Sequence, residues 1–298
     1  VGAIKRQIQK IESGTSVNAS DEPADAEKLG VLKTSCVYTG IFDPDENKTV
    51  LEEDIHRVSC PLRIGTIIVS RMNTPDLIGA AGLVRHASNN LFLPDRLWQI
   101  SFSNTDVRFV YFWTLTNLYR GQVKAVCTGT SSSMKNLGQD QFGNLSFATP
   151  PIAEQTQIAA FLDRETAKID ELVAEQRRLM ELLKEKRQAV ISHAVNQGLN
   201  PNAPMKPSGI EWLGDVPAHW EVMPLKRNLD FLTSGSRGWA DNYSDEGELF
   251  IRITNLTRGS IGLDLSDIQR VTVPDGAEGS RTRVQPGDVL FSITAYLG

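Results

Sequence analysis

The sequence predicts an α/β protein in which one long coiled-coil-type helix joins two related domains of short β-strands and helices. Three observations support this fold class. The stretch 150–198 has a helical pattern with a seven-residue apolar repeat. The segments on either side alternate short β-branched runs with polar loops. Features of the first segment return in the same order in the last. We therefore divide the chain into 1–149, 150–198 and 199–298.

The composition is that of an ordinary globular chain. It has 298 residues, of which 40% are hydrophobic, with a formal net charge of −5 and a pI of about 5.5. Such acidity argues against a simple basic nucleic-acid binder, although a local basic groove or a larger complex can still supply phosphate contacts. No run approaches the roughly 18 apolar residues of a membrane span, and the N-terminus has no signal-peptide pattern.

The cysteine content bears on the redox compartment, and the two chain ends bear on whether the sequence is a fragment. Cys36, Cys60 and Cys127 are too few and too scattered for a disulfide framework, which favours a reducing cytoplasm. The chain begins without Met and stops inside the apolar run 290–298. We therefore expect a fragment that is incomplete at both ends.

The first segment reads as a domain of short strands with one buried helix. Gly30–Val37 and Gly65–Ser70 are strand-like runs, and Val107–Leu118 fits a single helix whose aromatic residues belong to the core. The loop Gly129–Leu137 is dense in hydroxyl groups and carries a lysine. These features predict a mixed α/β domain that ends near residue 149.

The middle stretch predicts one helix that lacks a partner. Pro151 suits a first helical turn and Gly198 suits a C-terminal stop, with no Pro or Gly between them. At about 1.5 Å per residue this helix is a rod of roughly 65–70 Å, too long to bury an apolar face against itself. That face, which we name the seam, has these apolar residues at heptad spacing: Leu162, Ile169, Leu172, Leu179, Leu183 and Val190. The seam needs a second long helix, and the chain contains no other such stretch.

The last segment opens with a connector rich in Pro and Gly, whose Trp212 and Trp220 we expect to pack on the next domain. Four short matches then link the two outer segments, which indicates a tandem duplication. The matched pairs are Ser13–Thr15 with Ser234–Ser236, Leu29–Thr34 with Leu249–Thr254, Ile55–Val58 with Ile268–Val271, and Arg63–Arg71 with Gln285–Thr294.

The motifs around the long helix carry a family resemblance. The helix opens with Pro150-Pro151-Ile152-Ala153-Glu154-Gln155 and closes with Gly198-Leu199-Asn200-Pro201-Asn202. The second copy is introduced by Ser208-Gly209-Ile210-Glu211-Trp212-Leu213-Gly214 and by Pro217-Ala218-His219-Trp220. With a duplicated domain on each side, this layout resembles the specificity subunit of type I restriction–modification systems.

The resemblance implies DNA recognition without catalysis. In that family each globular copy is a target-recognition domain that reads one half of a split site on double-stranded DNA, and long helices pair antiparallel to fix the gap between the half-sites. The subunit recruits methylation subunits, which modify adenine, and restriction subunits, which translocate and cut DNA. The chain is then expected to bind no cofactor, because S-adenosylmethionine, ATP and Mg²⁺ are used by the partner subunits.

Polar side chains in loops of both outer segments are the candidate DNA contacts, because reading bases in the major groove requires hydrogen-bond donors and acceptors. Lys33 and Arg252 occupy equivalent positions in the repeat. The candidates are Lys33, Thr34, Arg71, Asn73, Ser131, Ser133, Lys135, Arg237, Arg252 and Asn255. For each, the alternative is a solvated charge or a turn hydroxyl.

Two other functions are weighed against DNA recognition. One is a coiled-coil adaptor that does not contact DNA. The other is a stand-alone methyltransferase, but Thr149-Pro150-Pro151-Ile152 lacks the amide and the aromatic ring that such an active site needs. The four histidines lie far apart in the sequence, so no metal site is predicted. The unpartnered seam adds a further hypothesis, in which two copies of the chain pair their helices.

Overall fold

The computed structural model describes residues 1–86, 89–129, 134–235, 238–257, 261–273 and 282–293. It forms two compact units, 1–187 and 188–298. The boundary falls inside the long helix, so the division into 1–149, 150–198 and 199–298 stays a prediction.

The first unit mixes short strands with helices. Its strands are β1 (Gly2–Ala3), β2 (Ile8–Glu12), β3 (Gly30–Leu32), β4 (Asn47–Thr49), β5 (Ile67–Ser70), β6 (Met72–Asn73), β7 (Ala81–Leu83), β8 (Leu91–Phe92), β9 (Leu97–Phe102), β10 (Lys135–Asn136) and β11 (Ser146–Phe147). Its helices are α1 (Val107–Thr114), α2 (Asn117–Val126), α3 (Gln139–Gly143) and the start of α4 (Ile152–Gln197).

A four-stranded antiparallel sheet in the order β2–β9–β5–β7 forms the centre of this unit. Central strand β5 is buried on both faces, which its β-branched residues favour. Ile67 and Val69 enter the core cluster that includes aromatic residues of α1 and α2, whereas Ile68 enters a second cluster with Leu32 and Val37. This period-two alternation places the sheet between two layers. The second layer includes the small sheet β4–β3–β8, in which β3 pairs antiparallel with β4 and parallel with β8.

Two predicted elements are shorter than expected. The helix predicted over Val107–Leu118 is wrong as a single helix, because Thr116 caps a new one by accepting a hydrogen bond from the Tyr119 N–H. The burial of its aromatic residues is confirmed. The strand predicted over Gly30–Val37 ends at Leu32, and the chain continues as a 3₁₀ turn over Thr34–Val37.

Helix α4 contains 46 residues and lies within two residues of the predicted bounds at each end. Gln155 and Ala159 in its first turns are buried, and almost all of the side chains after Thr166 are exposed. The predicted fold class, short strands and helices with one long helix, is confirmed.

The second unit is built from short strands. They are β12 (Met205–Pro207), β13 (Asp215–Pro217), β14 (Tyr243–Ser244), β15 (Glu248–Phe250) and β16 (Gln269–Val271). β12 and β13 form a hairpin, and β14–β16–β15 form an antiparallel sheet. The expected packing of Trp212 on the next domain is wrong, because this side chain is exposed in the hairpin turn. Trp220 lies over Gly198, the residue that follows α4, so its packing on the next domain stays a prediction.

Of the segment pairs that indicate the tandem duplication, one has the same secondary structure in both units and two do not. In both units a short strand, β3 or β15, leads into a 3₁₀ turn, with Lys33 and Arg252 in the N-cap positions. Ile55–Val58, however, lies mostly in a 3₁₀ turn, while its counterpart forms β16. The turn is held by the Asp54 carboxylate, which accepts hydrogen bonds from the Asn18 N–H and from Arg57. Arg63–Arg71 contains β5, whereas the described part of its counterpart, 285–293, has no strand.

Candidate nucleic-acid interface

Four of the candidate DNA contacts meet at the C-terminal end of the central strand β5. The chain leaves β5 through Arg71 into β6, which pairs antiparallel with β10 so that Lys135 lies opposite Asn73. The main chain of Arg71 is held on both sides, because its N–H donates to the Arg96 carbonyl (3.1 Å) and its carbonyl accepts from the Leu137 N–H (2.8 Å). We name this region the β6–β10 edge.

A tyrosine that is not among the candidates connects two of them, Thr34 and Asn73. Asn73 donates from Nδ2 to the Tyr38 hydroxyl (2.9 Å) and to Ser70 Oγ (3.1 Å). The Tyr38 hydroxyl also shares a hydrogen bond of 2.8 Å with Thr34 Oγ1. Tyr38 therefore bridges Thr34 and Asn73, and Asn73 links this pair to Ser70 at the end of β5. In the sequence, the only signal is the four-residue spacing between Thr34 and Tyr38.

The side chains at this edge differ in how free they are to bind a ligand. Asn73 is buried, and its Oδ1 accepts from the Thr74 N–H, so its amide positions neighbours instead of reaching outwards. Lys135 donates to the Gly129 carbonyl (2.9 Å) and has two further N–H donors. Arg71 Nε is buried without a hydrogen-bond partner among the described residues. The groups at this edge that can bind a ligand are therefore the Lys135 ammonium, the terminal nitrogens of Arg71, and the hydroxyls of the partly exposed Thr34 and the exposed Tyr38.

Lys33 lies close to acidic groups. Its N–H donates to the Glu46 carbonyl, and the Glu46 carboxylate accepts from Ser35 Oγ (2.5 Å). A hydrogen bond from Lys48, its charge and the charge of Lys33 together hold the pKa of the Asp21 carboxyl below its usual range. Neighbouring carboxylates lower the local positive potential, so Lys33 is less suited to a phosphate than Arg71.

The described candidates in the second unit form hydrogen bonds and ion pairs with other residues of that unit. Arg252 pairs with the Asp267 carboxylate (2.8 Å) and also donates to the Asp267 carbonyl (3.0 Å). Asn255 is 2% exposed; it accepts from the Arg252 N–H and donates to the carbonyls of Asp264 and Asp267. A buried amide with all of these partners has a structural role. Ser131, Ser133 and Arg237 lie outside the described residues.

The first turn of α4 is fastened to the domain through Gln155. This side chain is 1% exposed. Its Oε1 accepts from Thr105 Oγ1 (2.5 Å) and from the Asp106 N–H (3.0 Å), and its Nε2 donates to the Pro150 carbonyl (2.8 Å). The same loop caps α1, because Asp106 accepts from the Arg108 N–H. Gln155 therefore links the start of α4 to the start of α1.

A second fastening lies two turns further along α4. The Asp163 carboxylate pairs with Arg85 (2.7 Å) and with Arg108 (3.2 Å). Burial alone would raise the pKa of the Asp106 carboxyl, but hydrogen bonds from Arg108 outweigh it and hold that pKa below its usual range. Arg108 thus joins two carboxylates, one in the capping loop of α1 and one on α4.

Beyond this junction the seam has no cover. Leu162 is partly exposed, and the other five seam residues are exposed: Ile169, Leu172, Leu179, Leu183 and Val190. Apolar side chains repeated along one helix face at heptad spacing are typical of a helix that binds another helix. No candidate metal cluster of three or more His, Cys, Asp or Glu residues occurs within the described ranges. In the same part of the chain, no helix is long and apolar enough to span a membrane.

Comparison with known proteins places the chain in a family. Residues 6–181 match the family model described as type I restriction modification DNA specificity domain. The EcoKI specificity subunit of Escherichia coli K12 is 29% identical over 192 residues, covering 64% of this chain and 38% of that subunit. The putative MjaX specificity subunit of Methanocaldococcus jannaschii is 22% identical over 231 residues, covering 77% and 49%. The chain thus spans less than half the length of these two relatives.

Solved structures of similar proteins give a weaker likeness. The S subunit of a type I restriction–modification system from M. genitalium aligns with a TM-score of 0.39 and 16% identity over 92% of this chain and 62% of that one. The HsdS subunit from Thermoanaerobacter tengcongensis aligns with a TM-score of 0.45 and 16% identity over 69% and 51%. Since both TM-scores are below 0.5, the assignment depends on the sequence match, which covers more than half of the chain. The chain belongs to the family of type I restriction–modification DNA specificity domains.

Proposed function

We propose that this chain is the DNA sequence-specificity subunit of a type I restriction–modification complex, and that its first domain reads one half of a split DNA site. The observation that carries the proposal is the family match over residues 6–181, which includes both the β6–β10 edge and most of α4. The edge adds chemical support, because guanidinium, ammonium and hydroxyl donors are the groups that bind phosphates and base edges.

The subunit supplies recognition, and its partners supply the chemistry. Methylation subunits transfer a methyl group to adenine from S-adenosylmethionine, and restriction subunits use ATP and Mg²⁺ to translocate and cut DNA. Burial raises the pKa of the Cys36 thiol and of the Cys60 thiol, which makes both poor nucleophiles. We place the complex in the cytoplasm, with the chain itself non-catalytic and without a bound cofactor.

The alternative is a coiled-coil adaptor that does not touch DNA, and salt dependence separates the two. Fluorescence anisotropy of a labelled duplex is measured with the chain and its methylation subunit at increasing salt. A DNA-reading subunit should lose about 0.9 log unit of affinity per log unit of salt for each phosphate it neutralises. If adding the chain leaves the anisotropy of the duplex unchanged at every salt concentration, the adaptor is favoured.

The uncovered seam supports a second part of the proposal. Two copies of the chain pair their α4 helices antiparallel through the seam, which places two first domains on one DNA molecule. Such a pair reads a symmetric site, whereas a further recognition domain and helix in the same chain would read an asymmetric one. The symmetry of the methylated motif therefore separates the two arrangements.

A further inference from the structure

Two groups of side-chain contacts join the first domain to the start of α4. Gln155 is fully buried with three hydrogen bonds, and Asp163 pairs with two arginines from different parts of the domain. The two residues are eight positions apart on α4, which places them about 80° apart around the helix axis. Both fastenings therefore hold the same side of the helix, with buried Ala159 between them.

The angle at this junction decides where the first domain lies along the helix. A domain of about 150 residues has a radius of gyration of about 15 Å. Turning the domain by about 13° about the junction would move a group about 15 Å from the helix by about 3.4 Å along the helix axis, which is the rise of one base pair. A modest change of angle therefore corresponds to a whole base pair of DNA.

We propose that Gln155 and Asp163 are positioning residues that restrict the complex to one gap length between the two half-sites. This inference rests on the proposed function. Gln155 fixes where α4 leaves the domain, and Asp163, through Arg85 and Arg108, fixes its direction. Neither residue belongs to the β6–β10 edge, so neither is expected to change which bases the first domain reads.

The competing interpretation is that both residues only stabilise the domain. A destabilised subunit would methylate less at every site and keep the same gap. A loosened junction would instead keep the half-site sequences and accept gaps of neighbouring length. Gap length is therefore the quantity that a purely structural role does not change.

The test uses the full chain with its methylation subunit and a plasmid library that carries the mapped half-sites at varied gaps. Gln155→Ala removes the buried fastening. Asp163→Asn removes the charge of the partly exposed fastening with little change of shape, so it keeps the test valid if the first variant fails to fold. The matched controls on the same helix are Gln157→Ala, which is exposed, and Glu165→Gln, which loses ion pairs only to Arg164 and Lys168.

Both junction variants should raise methylation at gaps one base pair shorter and longer, relative to the native gap, by about tenfold, the change that about 1.4 kcal/mol produces. The controls should keep the native preference. Folded junction variants that methylate one gap only would overturn the inference and leave the proposed function intact. If the wild type yields no gapped motif, the proposed function fails and this inference fails with it.

Discussion

Replacing two leucines of the seam tests whether α4 associates with a second helix. Leu172 and Leu179 are adjacent seam positions, seven residues apart, and are 64% and 45% exposed. Lysine at both positions keeps helix propensity but introduces charges into the apolar face. Val195 provides the control. It is 64% exposed on the same helix and lies about 140° around the axis from the neighbouring seam residue Val190.

The structure sets the size of the effect. Full burial of a leucine side chain contributes about 2 kcal/mol, so covering the exposed parts of both leucines contributes about 2 kcal/mol per helix. In a symmetric pair both helices lose this term, and the double variant should weaken association by about 4 kcal/mol, or about a thousandfold in Kd. Val195→Lys should change the Kd by much less, since its side chain lies outside the seam.

Light scattering at increasing protein concentration measures the result. The wild type should be a dimer at micromolar concentration, the Leu172→Lys/Leu179→Lys variant a monomer, and Val195→Lys a dimer. A wild type that is already monomeric at micromolar concentration would refute self-association. A control that dissociates as completely as the double variant would show that the seam is not the contact.

Three further predictions concern the two globular regions. Arg71→Ala should reduce the salt dependence of DNA affinity by about 0.9 log unit of affinity per log unit of salt. Arg164→Ala, on the exposed side of α4, should leave that dependence unchanged. If the Arg71 variant and the wild type show the same salt dependence, Arg71 does not contact DNA. Asn255→Ala should lower the free energy of unfolding of the second unit by about 1–3 kcal/mol, because it leaves buried polar groups unpaired; urea denaturation with an unchanged midpoint would contradict the structural role. The hydrogen bond from the Asn18 N–H holds the pKa of the Asp54 carboxyl below its usual range. The stabilisation is therefore present above a pH of about 4 and lost as the pH falls further. Asp54→Asn should make the acid side of the stability curve shallower, and an unchanged pH profile would contradict this.

The long helix could be predicted closely because its signal is local and repeated. Heptad spacing and the absence of Pro and Gly determined α4 to within two residues at each end. The boundary between α1 and α2 was missed because it depends on one cap, in which Thr116 competes with continuation of the helix. The strand after Gly30 was predicted too long for a related reason, since Thr34 and Tyr38 bond across a single turn.

The candidate interface could be predicted only as a set of residue types. Thr34, Asn73 and Lys135 are distant in sequence, and the pairing of β6 with β10 brings the last two together. Tyr38 is prominent only through its hydrogen bonds, and the partners of Gln155, which stands in the motif that opens the helix, are also not indicated by periodicity. Composition also cannot show which guanidinium is paired, and the salt bridge of Arg252 with the Asp267 carboxylate is evident only in the structure.

A genome-wide map of methylated adenine tests the central claim most directly. The map is made in cells that carry the methylation subunit, with and without this chain. We expect one gapped motif that is present only when the chain is present, and a palindromic motif if two first domains read the site. A methylation pattern that is the same with and without the chain would contradict the proposal that it specifies the DNA sequence.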